Sequence, residues 1–126
     1  MKLSVKHQIE YDAHQLWLEN HDTGQPLNWS GECLRGADLR GLDFSYADLS
    51  YTDLRVADLR HASLRGVDLR GADLRDADFS CASLCGVDFT ESNLRDADLR
   101  GADLQDADFS DSDSRQIAVM HAKKDG

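Results

Sequence analysis

The chain has 126 residues, enough for one domain, with 40% hydrophobic and 30% charged residues and a formal charge of −10. That charge speaks against direct binding to nucleic acid, which needs clustered Lys and Arg to displace counterions; it permits a basic protein partner, or one that itself binds DNA. High charge with few aromatics is also the composition of disordered chains, but here the apolar residues recur at fixed places.

The first residues, M-K-L-S-V-K-H-Q-I-E-Y-D, have no long apolar core and carry acids early, so no secretory signal is expected. No apolar run approaches the ~20 residues of a membrane helix, and no membrane partner is expected. Three cysteines without a signal suggest a reducing, cytoplasmic setting and free thiols. Val5, Ile9, Ala13, Leu16 and Trp17 fall at helical spacing, and N-H-D-T-G from Asn20 to Gly24 is a stop and turn. The spacing predicts a helix near Lys6–Glu19 that covers the segment after it. Leu27, Asn28 and Trp29 are in phase with the pattern that follows, as a degenerate first unit. Trp17 and Trp29 are expected in the covered interior, the alternative being an exposed contact.

From Leu34 to Phe109 every fifth residue is Leu or Phe, without insertion or deletion. From Leu39 on, the residue two places before it is most often Ala, and Asp stands between them except at Ser63, Ser83 and Asn93. A helix turns about 100° per residue, so a period of five would spread the Leu positions right round it. A flat strand alternates faces, so an odd period would put successive Leu on opposite sides. Two apolar residues two apart do fit a short extended piece. The other two residues of each repeat must then turn the chain, and extended pieces joined by regular corners stack into a solenoid.

The units G-A-D-L-R, V-A-D-L-R and D-A-D-F-S resemble those of the pentapeptide-repeat proteins, whose pattern is A-(D/N)-L-x-x. The resemblance covers Leu34 to about Asp113. It implies an all-β solenoid, a right-handed, four-sided β-helix with one repeat per side. The sixteen repeats then form about four coils, roughly 19 Å long at a strand spacing of ~4.8 Å. The organisation expected is an N-terminal helical cap and lead-in over 1–33, the β-helix over 34–113, and a C-terminal cap or tail over 114–126. Family members often carry an H-x-x-W-L segment before the repeats, matched here by His14 to Leu18. Ser114 takes a Leu position, and the repeat is expected to stop there. Ile117, Val119 and Met120 with Lys123 and Lys124 form the tail, either a folded-back cap or a contact for end-to-end homodimers such as several family members form.

A four-sided coil puts residues twenty apart in one column. Arg35, Arg55, Arg75 and Arg95 then form one row, with Arg115 below. Arg40, Arg60 and Arg100 form a second, interrupted by Ser80. Asp38, Asp58, Asp78 and Asp98 make one acidic column; Asp48, Asp68, Asp88 and Asp108 make another. Tyr46 and Tyr51 stand at corners. The candidate interaction surface is the Arg35–Arg95 row or the Tyr46–Tyr51 edge. The alternative is DNA mimicry, proposed for the quinolone-resistance members that bind DNA gyrase. It would use the two acidic columns, and 18 acids against 9 Arg from Leu34 to Asp113 are compatible with it. A third reading places a thiol or metal site at Cys81 and Cys85 with His61 one coil above. A structural zinc site needs four ligands, and the sequence offers no fourth; Cys33 lies far off. His7, His14, His21 and His121 suggest no pairing. No cofactor motif is present, G-A-D-L-R-G being no phosphate loop since its Ala and Leu point inward. A filled coil offers no cleft for a substrate. The expected function is therefore a non-catalytic protein-binding or structural scaffold with an unidentified protein partner.

Overall fold

The computed structural model describes residues 3–119 and the backbone of residues 123–124. The first element, α1, is a helix over Val5–Glu19. Ser4 is its N-cap and accepts the His7 backbone N–H at 3.1 Å; Asn20 closes its C-terminus. The repeats after it are too tight for long strands. In each, the residue before the Leu or Phe makes a single parallel bridge to the residue twenty places on, as in Asp38↔Asp58↔Asp78↔Asp98. Among the described residues only β1 (Asp103–Leu104) and β2 (Lys123–Lys124) pair over two residues, again in parallel.

The two residues after each Leu form the corner. Ala37 N–H donates to Leu34 O at 3.0 Å across Arg35 and Gly36, and Gly36 has φ +69°, as the third residue of a type II turn requires. Corners without glycine also lie in this left-handed region, Tyr46 at 66° and Val56 at 61° among them. Between coils, Leu34 N–H donates to Asp53 O at 2.8 Å and Asp53 N–H donates to Glu32 O at 3.0 Å, so the backbone is paired along the stack. Inside, the Leu and Phe at every fifth place from Leu34 to Leu104 are 0–3% exposed. Hydroxyls are tolerated at the small position because they bond back: Thr52 and Ser92 each donate at 2.7 Å to the carbonyl three residues earlier, Leu49 and Phe89.

The bridges reach past both expected edges of the repeat. Asn28↔Asp48 lies before Leu34, and Leu27 and Trp29 are buried there, as their phase suggests. At the other end Asp98↔Ala118 carries the backbone ladder past Ser114. Ser114 is half-buried in the Leu place and bonds the Ser112 hydroxyl at 3.0 Å. Ile117 packs partly against the core; Met120 and His121 lie outside the described residues.

The helix is where expected, but the side it docks is not the apolar one. Val5, Ile9 and Leu16 are 78%, 63% and 53% exposed, while His14 is fully buried. The reason is that the end of a solenoid presents backbone groups with no further coil to bond. Polar side chains of α1 take that coil's place. Tyr11 Oη accepts the Asp43 N–H at 3.0 Å and Gln15 Nε2 donates to Asp43 O at 2.8 Å. His14 Nδ1 accepts the Leu27 N–H and its Nε2 donates to Ser45 O, both at 3.0 Å. Trp29 is buried against Phe44, and Trp17 is half-buried, stacked between His14 and His21.

Candidate interaction surface

The acidic columns differ in what stands two residues after each Asp. Where it is Arg, the Asp oxygens take the Arg backbone N–H and a two-pronged guanidinium bond. Arg60 Nε donates to Asp58 Oδ1 at 2.8 Å and its Nη2 to Asp58 Oδ2 at 2.7 Å. Asp38–Arg40 and Asp98–Arg100 repeat this, and Asp78 bonds Ser80 instead. The Asp38 column is thus largely neutralised by its own repeats. In the Asp48 column only Asp68 has such an Arg, Arg70, while Asp48, Asp88 and Asp108 bond Ser50, Thr90 and Ser110. That face keeps its negative charge.

The arginine row is equally divided. Arg55 and Arg75 are half-buried and forked to Asp53 and Asp73. The Arg55 guanidinium, by direct hydrogen bond first, holds the Asp53 carboxyl down to about 2. Cys33 and Asn93 stand where Arg35 and Arg95 would have their Asp. Those two arginines are exposed and cannot form the same fork within their repeats.

Tyr46 and Tyr51 do stand at corners, 55% and 62% exposed. Each ring lies over a glycine one coil on. A Cβ added to Gly66 would meet Tyr46 Cδ1 at 2.6 Å, and one on Gly71 would collide with the Tyr51 ring. The face between these corners carries the Asp48 column. Val56, 56% exposed, occupies the next corner of the same coil. The glycines were missed in the sequence; the signal for them was the spacing of twenty from Tyr46 to Gly66 and from Tyr51 to Gly71.

His61 and Cys81 share a corner column, where the Cys81 sulfur packs toward Gly101. Burial, then a bond to Asp103, pushes the Cys85 thiol up, away from a reactive thiolate. Among the described residues no group of three or more His, Cys, Asp or Glu is placed to hold a metal. Among the described residues His7, His14 and His21 have ordinary structural partners: His7 Nε2 bonds Glu32 Oε1 at 2.7 Å, His14 bonds the first coil, and His21 stacks on Trp17.

The family model for pentapeptide repeats matches residues 33–58, 52–90 and 77–113. The chain belongs to the pentapeptide-repeat family. Its fold is the right-handed β-helix of these proteins. A pentapeptide-repeat protein from the Arabidopsis thaliana thylakoid lumen is similar at 31% identity and TM-score 0.70, over 74% of this chain and 65% of that one. The pentapeptide-repeat protein Rfr23 from the cyanobacterium Cyanothece 51142 is 27% identical with TM-score 0.62, over 84% of this chain and 69% of that one. The chain thus spans just under two thirds of the first relative's length. QnrB1, a plasmid-mediated fluoroquinolone resistance protein, aligns at 14% identity and TM-score 0.27, over 79% of this chain and 90% of that one, and no functional reading rests on it. No curated protein matches the chain.

Proposed function

We propose that this pentapeptide-repeat chain is a non-catalytic scaffold of about four coils, capped by α1, that binds another protein through the Tyr46–Tyr51 edge. The observation that carries this reading is the seating of two exposed tyrosine rings on Gly66 and Gly71. A ring held by its neighbour loses little freedom on binding, and tyrosine offers both apolar area and a hydroxyl. Arg55 and Arg75 are engaged by Asp53 and Asp73, which leaves Arg35 and Arg95 as the weaker candidates. The retained charge of the Asp48 column between the tyrosines favours a partner with basic residues. The proposal includes a cytoplasmic location, on the strength of the cysteines Cys33, Cys81 and Cys85. It also includes end-to-end pairing at the C-terminal coil, where Phe109 and Ile117 are only partly covered. The test is affinity capture with the wild type, with Tyr46→Ser/Tyr51→Ser and with Arg35→Ser/Arg95→Ser, each checked for folding by circular dichroism. A partner lost only with the tyrosine pair supports the edge; one retained by that variant refutes it.

A second reading, DNA mimicry toward a topoisomerase, is favoured by one observation: Asp48, Asp68, Asp88 and Asp108 face a single Arg in their own repeats. The Asp38 column does not serve it, because Arg40, Arg60 and Arg100 are interleaved there. A DNA gyrase supercoiling assay with and without a quinolone tests it. Inhibition or drug protection that disappears when the four Asp become Asn supports mimicry, and no effect of the folded protein ends it.

A further inference from the structure

The apolar stripe of α1 has no place in the scaffold just described. The helix docks through Tyr11, His14 and Gln15, which turns Val5, Ile9 and Leu16 outward, all more than half exposed. Polar residues at these three sites would have served a helix whose only task is to cap. Beside the stripe lies a shallow cleft of about 380 Å³ between α1 and the lead-in, with Ile9, Ala13 and Pro26 on its walls and Glu10 in its lining. Asp12 and Glu19, both exposed, border the opposite edge. The neighbouring cation, Lys6, is drawn toward Glu10 and Glu32, at 3.8 Å from each. The surface is therefore an apolar row with carboxylates on both flanks.

We infer that the outer face of α1 is a docking site for an amphipathic helix of a second protein, one with Lys or Arg on both flanks of its apolar row. Ridge-into-groove packing against Val5, Ile9 and Leu16 covers the stripe. A Lys or Arg laid in the cleft covers its walls with the aliphatic stem and meets Glu10 with its charged head. Other occupants fit less well. Two copies of α1 paired antiparallel about a twofold axis bring like edges together, so that the acidic edge of Asp12 and Glu19 meets the same acidic edge of the other copy. The chain's own Lys123–Lys124 lies at the far end, paired with Asp103–Leu104, three bridges along the stack from Asp43. An anionic membrane surface is repelled by the same acids.

The experiment uses the full chain and dye-labelled synthetic helices of about four turns with Leu at i, i+3, i+4 and i+7. One has Lys flanks, one has Glu flanks, and one keeps the Lys composition but scrambles the Leu spacing. Fluorescence anisotropy should show saturable binding of the ordered Lys helix only. Ile9→Ser/Leu16→Ser, with unchanged circular dichroism, should weaken it by about tenfold or more. Asp12→Lys/Glu19→Lys, which leaves the stripe intact, should weaken it and should admit the Glu-flanked helix. Equal binding of the scrambled peptide, survival of binding in the Ile9→Ser/Leu16→Ser variant, or absence of binding overturns the inference. So does sedimentation of the protein alone showing a dimer that this variant abolishes, which would make the stripe a self-interface. Flotation with phosphatidylcholine vesicles that the variant abolishes would assign the stripe to lipid, with the same consequence.

Discussion

The seating of the tyrosines on glycine can be measured by placing a methyl group at two corners. Gly41 and Gly71 have nearly the same left-handed backbone, φ +69° and +66°. A Cβ on Gly41 meets nothing within 4 Å, whereas one on Gly71 runs into the Tyr51 ring. The backbone term is therefore common to both. Left-handed φ costs a residue with a Cβ about 1–2 kcal/mol, offset by about 0.4–1 kcal/mol because alanine restricts the unfolded chain. Gly41→Ala should cost roughly 0.5–1 kcal/mol. Gly71→Ala must also displace the ring. Tyr51 is 62% exposed, so roughly 75 Å² of a ~200 Å² side chain is covered. At ~25 cal/mol per Å², losing most of that adds about 1–2 kcal/mol. In thermal unfolding followed by circular dichroism, the two midpoints should then differ by about 5 °C. A double-mutant cycle isolates the cause: in a Tyr51→Ala background, Gly71→Ala should cost no more than Gly41→Ala. Equal costs in the wild-type background, or a Gly71 cost that persists without Tyr51, would refute the reasoning.

Leu74, fully buried among repeats with neighbours on both sides, should lose about 3–5 kcal/mol on Leu74→Ala in urea unfolding; a loss below about 1 kcal/mol would mean that the coils collapse around the gap. Val56→Asn removes a β-branched residue from φ 61° at an exposed corner, and should raise stability by about 0.5–1 kcal/mol in the same measurement. His14 makes the docking of α1 pH-dependent. Burial lowers its folded-state pKa below the ordinary 6.5, and a proton on Nδ1 would displace the Leu27 N–H that Nδ1 accepts. Its contribution is fully present above pH 6.5 and is lost as pH falls through the lowered folded value. The unfolding midpoint should fall over that window, and His14→Gln should flatten the fall; an unchanged pH profile in the variant counts against the assignment. Asp53, held down to about 2 by Arg55, contributes stability that is present above its ordinary 3.8 and lost as pH falls toward 2. Asp53→Asn should shrink that acid loss, measured as the difference in midpoint between pH 4 and pH 2.

Much of this protein follows from residue order alone. A repeat of five that contains a spacing of two fixes which way each side chain points. So the buried Leu and Phe, the corners and the start of the ladder near Leu27 were legible before any coordinates. The charge balance of each column was legible too, because D-x-R and D-x-S differ within one repeat: Asp58 is forked to Arg60, while Asp48 meets only the Ser50 hydroxyl. These are contacts over two residues, and local sequence decides them. Long-range geometry decided the rest. The apolar spacing of Val5, Ile9, Ala13, Leu16 and Trp17 pointed to the helix but not to the side by which it docks. The open end of the first coil instead demanded hydrogen bonds at Asp43, Ser45 and Leu27, and Tyr11, His14 and Gln15 supplied them. Tyr51 meets Gly71 only because four sides make one turn, a number that a period of five does not contain. Side-chain direction is a local property of the repeat. What a surface or an end must satisfy depends on which distant residues the stacking brings beside it.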